Sequence, residues 1–343
     1  MNSKRVYSIG VFLLVGFVGL ILAFQYVAEY GENTILDKTL TGFEIEKGSS
    51  ANAVLSSLEQ QGLINRPLVA KLWLKLHPEY IAVKKGFYSF ESGSSLSNIM
   101  RDISTAKVKQ FSISLIEGLT FKQWMQTLQG NPNIISDIVE AQEIKALYER
   151  LVNINSFCKN TYSSLEGCLL ADTYFFEKNT KASMILERAY LAMADKLERI
   201  WSKRFLDTAY KTPYELLIMA SIIEKETAVE SERGIISGVF DNRLAKNMRL
   251  QTDPTVIYGI KDFDGNITRK HLREKTPYNT YVIRGLPITP IAMAGEASLL
   301  AAAQPELTDA IYFVAKGDGT HHFSETLSEH NAAVRKYQLK KGK

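Results

Sequence analysis

Val6 to Ala28 is a run of 23 consecutive residues without a charge, bounded by Lys4 and Arg5 on one side and Glu29 on the other. As a helix it is roughly 34 Å long, enough to cross a hydrocarbon core of about 30 Å. A cleaved signal peptide is the competing reading, but its apolar stretch spans only ~7–15 residues and ends at a small-x-small site. Here the run is longer, and Phe24-Gln-Tyr-Val-Ala28 makes a poor cleavage site. The run therefore predicts a retained membrane anchor over Val6–Ala28. Lys4 and Arg5 favour a short N-terminus held in the cytoplasm. No later segment is long and apolar enough to span, so everything from about residue 30 is expected on the far side of the membrane.

The rest of the chain has globular composition. Of 343 residues, 45% are hydrophobic and 23% charged, which excludes disorder and collagen-like structure. The formal charge of +4, from 41 basic against 37 acidic residues, is too small to argue for nucleic-acid binding. Two cysteines cannot form a Cys₄ zinc site and no histidine pair has HExxH spacing, so neither a metal nor a cofactor is expected. The compartment permits disulfides. Cys158 and Cys168, ten residues apart, have two readings, a staple closing a small loop or two unpaired thiols. Neither lies in a CxxC or beside a candidate base, so a nucleophilic role is not expected.

Residues 41–128 carry a weak internal repeat. Glu46-Lys-Gly-Ser-Ser-Ala-Asn-Ala-Val-Leu-Ser-Ser-Leu58 matches Glu91-Ser-Gly-Ser-Ser-Leu-Ser-Asn-Ile-Met-Arg-Asp-Ile103, and Glu117-Gly-Leu-Thr-Phe-Lys-Gln-Trp-Met-Gln-Thr-Leu128 is a looser third copy. Each follows a short alternating stretch, Thr41–Ile45, Gly86–Phe90 and Phe111–Ile116. Glycine permits a tight turn and Ser or Thr caps an amphipathic helix, so the unit reads as strand, turn, helix. Arg66–His77 reads as a further helix between the first two copies. These copies resemble the LysM-like module of bacterial wall proteins, which binds N-acetylglucosamine polymers; a structural spacer is the alternative. Residues 130–210 read as mostly helical, with a long amphipathic helix over Ala182–Arg204.

The most informative segment is Thr212-Pro-Tyr-Glu-Leu-Leu-Ile-Met-Ala-Ser-Ile-Ile-Glu-Lys-Glu-Thr227. Thr212 suits an N-cap, Pro213 the first helical position, and Glu215 completes a capping box. Leu216–Ile223 is apolar on every face except Ser221, so the helix is expected to be buried. Glu224 follows directly, stacked over Ala220 and Ser221. Desolvation there would favour the protonated carboxyl that a general acid needs. The plain alternative makes Glu224 the start of the solvent-facing end of the helix. Glu226 sits on another face, over Ile222 and Ile223, as support, substrate contact or an exposed charge.

Downstream, Ile235–Leu244 reads as a helix, and Asp253 before Pro254 as the N-cap of a short turn over Pro254–Tyr258. Gln251 and Thr252 offer donors to a sugar. Pro277-Tyr-Asn-Thr-Tyr281 and Gly285-Leu-Pro-Ile-Thr-Pro-Ile291 are irregular; loop Tyr and Asn suit either sugar contacts or turn chemistry. The C-terminal part reads as a helix (Glu296–Ala303), a hairpin (Ile311–Ala315, His321–Ser324) and a last amphipathic helix. His321, His322 and His330 have no nucleophile partner in sequence.

In this order the motifs resemble the YceG-like endolytic murein (peptidoglycan) lytic transglycosylases. The likeness runs from the anchor to about residue 335. It is carried by Glu117-Gly118, Glu166-Gly167 with Asp172-Thr-Tyr174, Ala220-Ser-Ile-Ile-Glu-Lys-Glu-Thr227, Leu250-Gln-Thr-Asp-Pro-Thr255, Tyr278-Asn-Thr-Tyr281, Gly285-Leu-Pro287, Tyr312-Phe-Val314, and Gly319 with His321 and Phe323. Four positions depart from the family pattern: Ala171, Ile288-Thr289 and Ala294 stand where it usually has Pro, Pro-Gly and Pro.

The resemblance implies an α+β protein with one N-terminal transmembrane helix (1–29), a small LysM-like module (30–108) and a larger mixed α+β catalytic domain (109–343). It implies location in the cell inner membrane with the catalytic domain in the periplasm, and cleavage of the MurNAc-β-1,4-GlcNAc bond without water. Glu224 matches the family's catalytic glutamate. Ser221, Glu226, Gln251, Asp253, Tyr278, Asn279 and Tyr281 are the candidates for holding substrate. A glycosidase normally uses two carboxylates. A lytic enzyme can use one, because the muramic 6-hydroxyl is the nucleophile and proximity is built in. The expected partners are nascent glycan strands and, beside them, the penicillin-binding synthases. The alternatives are a muramidase with Glu226 or Asp253 as second carboxylate and a non-enzymatic wall-binding scaffold. A tethered peptidase lacks a nucleophile or metal set.

Overall fold

The computed structural model describes residues 3–339, without the side chains of residues 3–6 and 8. The expectation placed on the side chains of Lys4 and Arg5 therefore lies outside what is described. The chain divides into two compact units. The first comprises residues up to Phe111 together with Phe175–Lys178; the second comprises Ser112–Tyr174 and the chain from Asn179 onward.

The first unit begins with α1 (Ser3–Asn33). Among the described residues it holds the one helix long and apolar enough to cross a membrane, from Ile9 to Asn33. Its large apolar side chains from Ile9 to Phe24 are exposed, whereas Tyr30 near its end is buried. The unit continues with β1 (Leu40–Ile45), α2 (Ala51–Gln60), α3 (Pro67–Leu76), β2 (Gly86–Phe90) and α4 (Leu96–Ser104). β1 and β2 pair antiparallel, from Leu40 opposite Phe90 to Ile45 opposite Gly86. The repeat sets the helix starts. Ser50 and Ser95 each accept a hydrogen bond from a backbone N–H three residues on, at Ala53 and Asn98. Leu55, Leu58, Trp73, Tyr88, Met100 and Ile103 fill the core beneath the strand pair. Gly31 touches Trp73 so closely that a Cβ there would fall 2.3 Å from the indole, so only glycine lets α3 lie against α1.

The third repeat copy gives β3 (Gln110–Leu115) and α5 (Phe121–Gln129), whose capping box joins Thr120 to Gln123. β4 (Ile134–Ile135) and α6 (Ala141–Ile154) follow, then β5 (Asp172–Glu177), β6 (Thr180–Lys181) and α7 (Ala182–Ser202). β3 pairs with β5, and β4 with β6 in parallel. The two-residue β4–β6 pair has no periodic signature in the sequence. Cys158 and Cys168 are joined by a disulfide with Cα atoms 6.0 Å apart, resolving the two readings in favour of the staple.

The core of the second unit is α8 (Pro213–Glu226). Its capping box on Thr212 and Glu215 is formed, and every residue from Leu216 to Ile223 is buried. Around it lie α7, α9 (Arg233–Ala245), α10 (Asp253–Gly259) and α11 (Glu296–Ala303). The antiparallel hairpin β7 (Tyr312–Ala315) and β8 (His321–Ser324) and the short α12 (Leu327–Val334) complete it. The cap of α10 differs from expectation. Thr252 is the N-cap and Asp253 the first helical residue. Asp253 instead accepts a hydrogen bond from the Tyr281 hydroxyl at 2.7 Å, a partner 28 residues away.

Candidate active site

Glu224 stands at the end of α8, where the buried apolar run gives out, and is half-buried. Its Oε2 accepts the backbone N–H of Gly295 at 3.0 Å and the hydroxyl of Ser298 at 2.7 Å. Both belong to the start of α11, where Gly295 is the N-cap and offers no capping side chain. Glu224 therefore supplies, from another helix, the acceptor that this helix end lacks. Its Oε1 has no hydrogen-bond partner among the described residues.

Two glycines border this arrangement. Gly118 adopts the left-handed φ of +74° that favours glycine, and a Cβ there would sit in ordinary contact, 3.9 Å from Cγ of Glu224. At Gly295 a Cβ would fall 3.4 Å from Oε2 of Glu224 and 3.4 Å from Cβ of Glu117. The stem of Glu117 and the carboxyl of Glu224 thus border one small gap. The Glu117–Leu119 loop is held there by three bonds. The Gly118 N–H donates to Met293 O (2.8 Å), the Met293 N–H donates to Leu119 O (2.9 Å), and Lys225 Nζ donates to Gly118 O (3.0 Å).

Behind the loop lies a buried acid, Glu166. It accepts the Phe121 N–H at 2.9 Å and the Tyr258 hydroxyl at 3.0 Å. Burial pushes its carboxyl up to about 7, against the pull of those two donors. It lies inside the disulfide loop, and the next residue, Gly167, packs where a Cβ would meet the Pro290 ring at 2.3 Å.

The predicted substrate residues separate into two groups. Glu226, Gln251, Asp253 and Tyr281 come together as walls of a cavity of about 550 Å³ that also takes in Arg243 and His330; Glu224 does not line it. Glu226 accepts a hydrogen bond from the Thr252 hydroxyl, and burial raises its carboxyl pKa, partly offset by that bond and by His321. Arg243 is fixed by carbonyls of Ile311, Arg249 and Leu250. The Nδ1 atom of His330 is buried and has no hydrogen-bond partner among the described residues, and burial lowers the ring's pKa.

Ser221, Tyr278 and Asn279 are turned inward. The Ser221 hydroxyl donates to Ile218 O at 2.7 Å and accepts the Ile291 N–H at 3.0 Å, in a fully buried position. A serine inside a helix commonly bonds back to the preceding turn, and this one also ties down the incoming loop. The amide of Asn279 donates to the carbonyls of His271 and Glu274 and accepts from the Tyr281 N–H, closing its own loop. The Tyr278 hydroxyl shares a hydrogen bond with buried Thr289, and its ring meets Tyr258 edge-on at 4.8 Å. All three side chains therefore serve the framework.

Gly295 and Ser298 were not selected from the sequence, nor were Glu117 and Glu166 given roles. The available signal was a glycine three residues before a serine at a predicted helix start, a place that welcomes a carboxylate.

The sequence matches the YceG-like family over residues 43–336. A Bacillus subtilis (strain 168) protein named endolytic murein transglycosylase is 31% identical, over 88% of this chain and 85% of its own length. A protein of the same name from Streptococcus pneumoniae (strain D39) is 24% identical over 96% of this chain, which spans 64% of that longer protein. The crystal structure of a YceG-like protein from Listeria monocytogenes aligns with a TM-score of 0.56 and 29% identity, over 86% of this chain and 99% of that one. By the extent of the sequence match and the agreement of fold, this chain belongs to the YceG-like family.

Proposed function

We propose that this protein is a membrane-anchored lytic transglycosylase that cuts peptidoglycan strands internally, with Glu224 as its general acid and base. The observation that carries the reading is the setting of that carboxyl. One oxygen is held by two donors, and the other has no hydrogen-bond partner among the described residues, at the end of a buried helix. The names of the related proteins from Bacillus and Streptococcus point to the same chemistry.

The proposed reaction uses this geometry in two proton transfers. Glu224 gives a proton to the oxygen linking MurNAc to GlcNAc, and the bond from that oxygen to the MurNAc anomeric carbon breaks. The Gly295 N–H and Ser298 hydroxyl stabilise the carboxylate as its charge develops. The carboxylate then takes the proton of the muramic 6-hydroxyl, whose oxygen closes on the anomeric carbon. The products are a 1,6-anhydroMurNAc end and a free GlcNAc end, and Glu224 is protonated again. Glu226, Gln251, Asp253 and Tyr281, mixed carboxylates and amide beside an aromatic ring, suit the hydroxyls of a sugar further along the strand. Residues 30–108, within the first unit, are the proposed LysM-like module, with glycan as its ligand.

The anchor reading gains support from α1, which continues without a break into the packed Tyr30 and Gly31. Retained, it places the protein in the inner membrane with both units in the periplasm, within reach of nascent strands and their penicillin-binding synthases.

Mass spectrometry of digested glycan tests the reaction. Wild type should yield 1,6-anhydro ends, and Glu224→Gln should lose them by about 10²–10⁴-fold in rate, the usual worth of a general acid. One observation favours a second reading, a muramidase: the side-chain stem of Glu117 and a carboxyl oxygen of Glu224 both approach Gly295, which brings a second acidic residue to the same gap. Reducing ends in place of anhydro ends would establish hydrolysis instead of the lytic reaction.

A further inference from the structure

The helix α3 presents an apolar stripe that stays exposed beside α1. Leu68, Leu72 and Leu76 fall four residues apart on one face and are 77%, 50% and 42% exposed; Ile81 just beyond is 56% exposed. Ala70 and Leu74 on the opposite face are buried in the core, so the stripe is not a helix turned the wrong way. An isolated exposed leucine needs no explanation, but a contiguous row does.

Two features say what covers it. The first is continuity with α1. Leu72 and Leu76 share an apolar groove of about 680 Å³ with Leu20, Ile21, Phe24 and Val27, the far end of the membrane-spanning run. The contact is fixed by Gly31 against Trp73 and by Arg66, which donates to the Tyr26 hydroxyl at 2.7 Å. The second is charge. Lys71 and Lys75 flank the stripe on the same helix and are exposed, as is Arg66 at its start. Leucines on one face, lysines along its border and a tyrosine at the level of the headgroups are the pattern of a helix lying in a membrane surface.

We propose that α3 is an interfacial helix. Its Leu68–Leu72–Leu76 stripe is sunk at the acyl-chain boundary of the leaflet that α1 leaves, with Lys71, Lys75 and Arg66 against anionic lipid headgroups. The proposal rests on α1 spanning the bilayer. It goes beyond a tether: the first unit is seated on the membrane in one orientation, through two attachments rather than one.

The test uses the full chain in vesicles of phosphatidylcholine and phosphatidylglycerol whose acyl chains carry a nitroxide quencher. The native cysteines are paired, so an added cysteine is labelled selectively with an environment-sensitive fluorophore. Leu72→Cys and Leu76→Cys test the stripe, Leu14→Cys the anchor, and Glu59→Cys, exposed on α2, serves as the aqueous control. Labels at 14, 72 and 76 should be dimmed by the lipid quencher, with 59 left bright. A dimmed label at 14 with 72 and 76 as bright as 59 overturns the seating and leaves the anchor standing. No dimming at 14 overturns the anchor and the seating together. Labels at 72 and 76 shielded from aqueous iodide yet untouched by the lipid quencher would mean a protein occupant, and also overturn it. Lys71→Glu with Lys75→Glu should weaken dimming at position 76 in the anionic vesicles and leave it unchanged in pure phosphatidylcholine. Dimming in the anionic vesicles as strong as without the two substitutions would overturn the role given to the lysines.

Discussion

At the residue scale, Glu224 owes its orientation to two donors on one oxygen. Removing one should disturb the chemistry more than the fold. Ser298→Ala deletes a hydroxyl bonded to a carboxylate, worth about 1.5 kcal/mol, which lowers kcat roughly tenfold. The product should still be the 1,6-anhydro end, and the melting temperature should stay near that of wild type. A switch to hydrolytic product, or an unchanged kcat, would contradict the assignment. Glu166 makes a different prediction, because its buried carboxyl is raised to about 7. The folded state holds that proton more tightly than the unfolded chain does. Its stabilising contribution is complete below the unfolded value near 4.5 and is lost as pH rises through about 7. The total loss is on the order of 3 kcal/mol. Glu166→Gln keeps an acceptor for Phe121 and cannot ionise. Denaturation followed between pH 4 and 8 should show a weaker decline in the variant than in wild type.

At the element scale, α8 is the most demanding part of the molecule, since a helix buried on all sides tolerates neither a lost cap nor a cavity. Thr212→Ala removes the acceptor for the Glu215 N–H and should cost about 1 kcal/mol. Ile222→Ala, at a fully buried position, should cost about 2–5 kcal/mol. Urea denaturation separates the two. The larger effect belongs to the cavity, and Ile222→Ala should also reduce activity at temperatures where the fold persists, because Glu224 sits two residues further on. Had the cap mattered more than the packing, the order would reverse. The same logic explains why the strand–turn–helix copies are so regular: each Ser or Thr cap, with a glycine turn just before it, fixes one helix start.

At the scale of the whole molecule, the proposed anchoring by α1 sets what the enzyme can reach, and it can be tested directly. Leu14→Arg together with Phe17→Arg puts two charges in the middle of the run, at roughly 2.5–3.5 kcal/mol each on insertion scales. The doubly substituted chain should leave the membrane pellet after alkaline carbonate extraction, where wild type should stay. Purified Glu224 chemistry should survive this change. Retention in the pellet would mean that α1 is not the attachment.

Much of this protein is written locally. The uncharged run, the three capped repeats, the capping box at Thr212, the buried stretch to Ile223 and the C-terminal hairpin are all set by neighbouring residues. Periodicity, caps and turn glycines act within a few positions, so the sequence alone determines them. The position of Glu224 at the end of a buried helix belongs to the same class. The tertiary structure alone decided what each carboxylate faces. Glu224 and Glu226 are two residues apart, yet one meets Gly295 and Ser298, 71 and 74 residues further on, and the other meets Thr252 beside a cavity. Ser221 and Asn279 have the polar chemistry of a binding site but turn inward, because Ile291 and the His271–Glu274 loop arrive to take their hydrogen bonds. A local pattern tells which faces of a helix are polar; which of them is left open depends on what packs there from elsewhere in the chain.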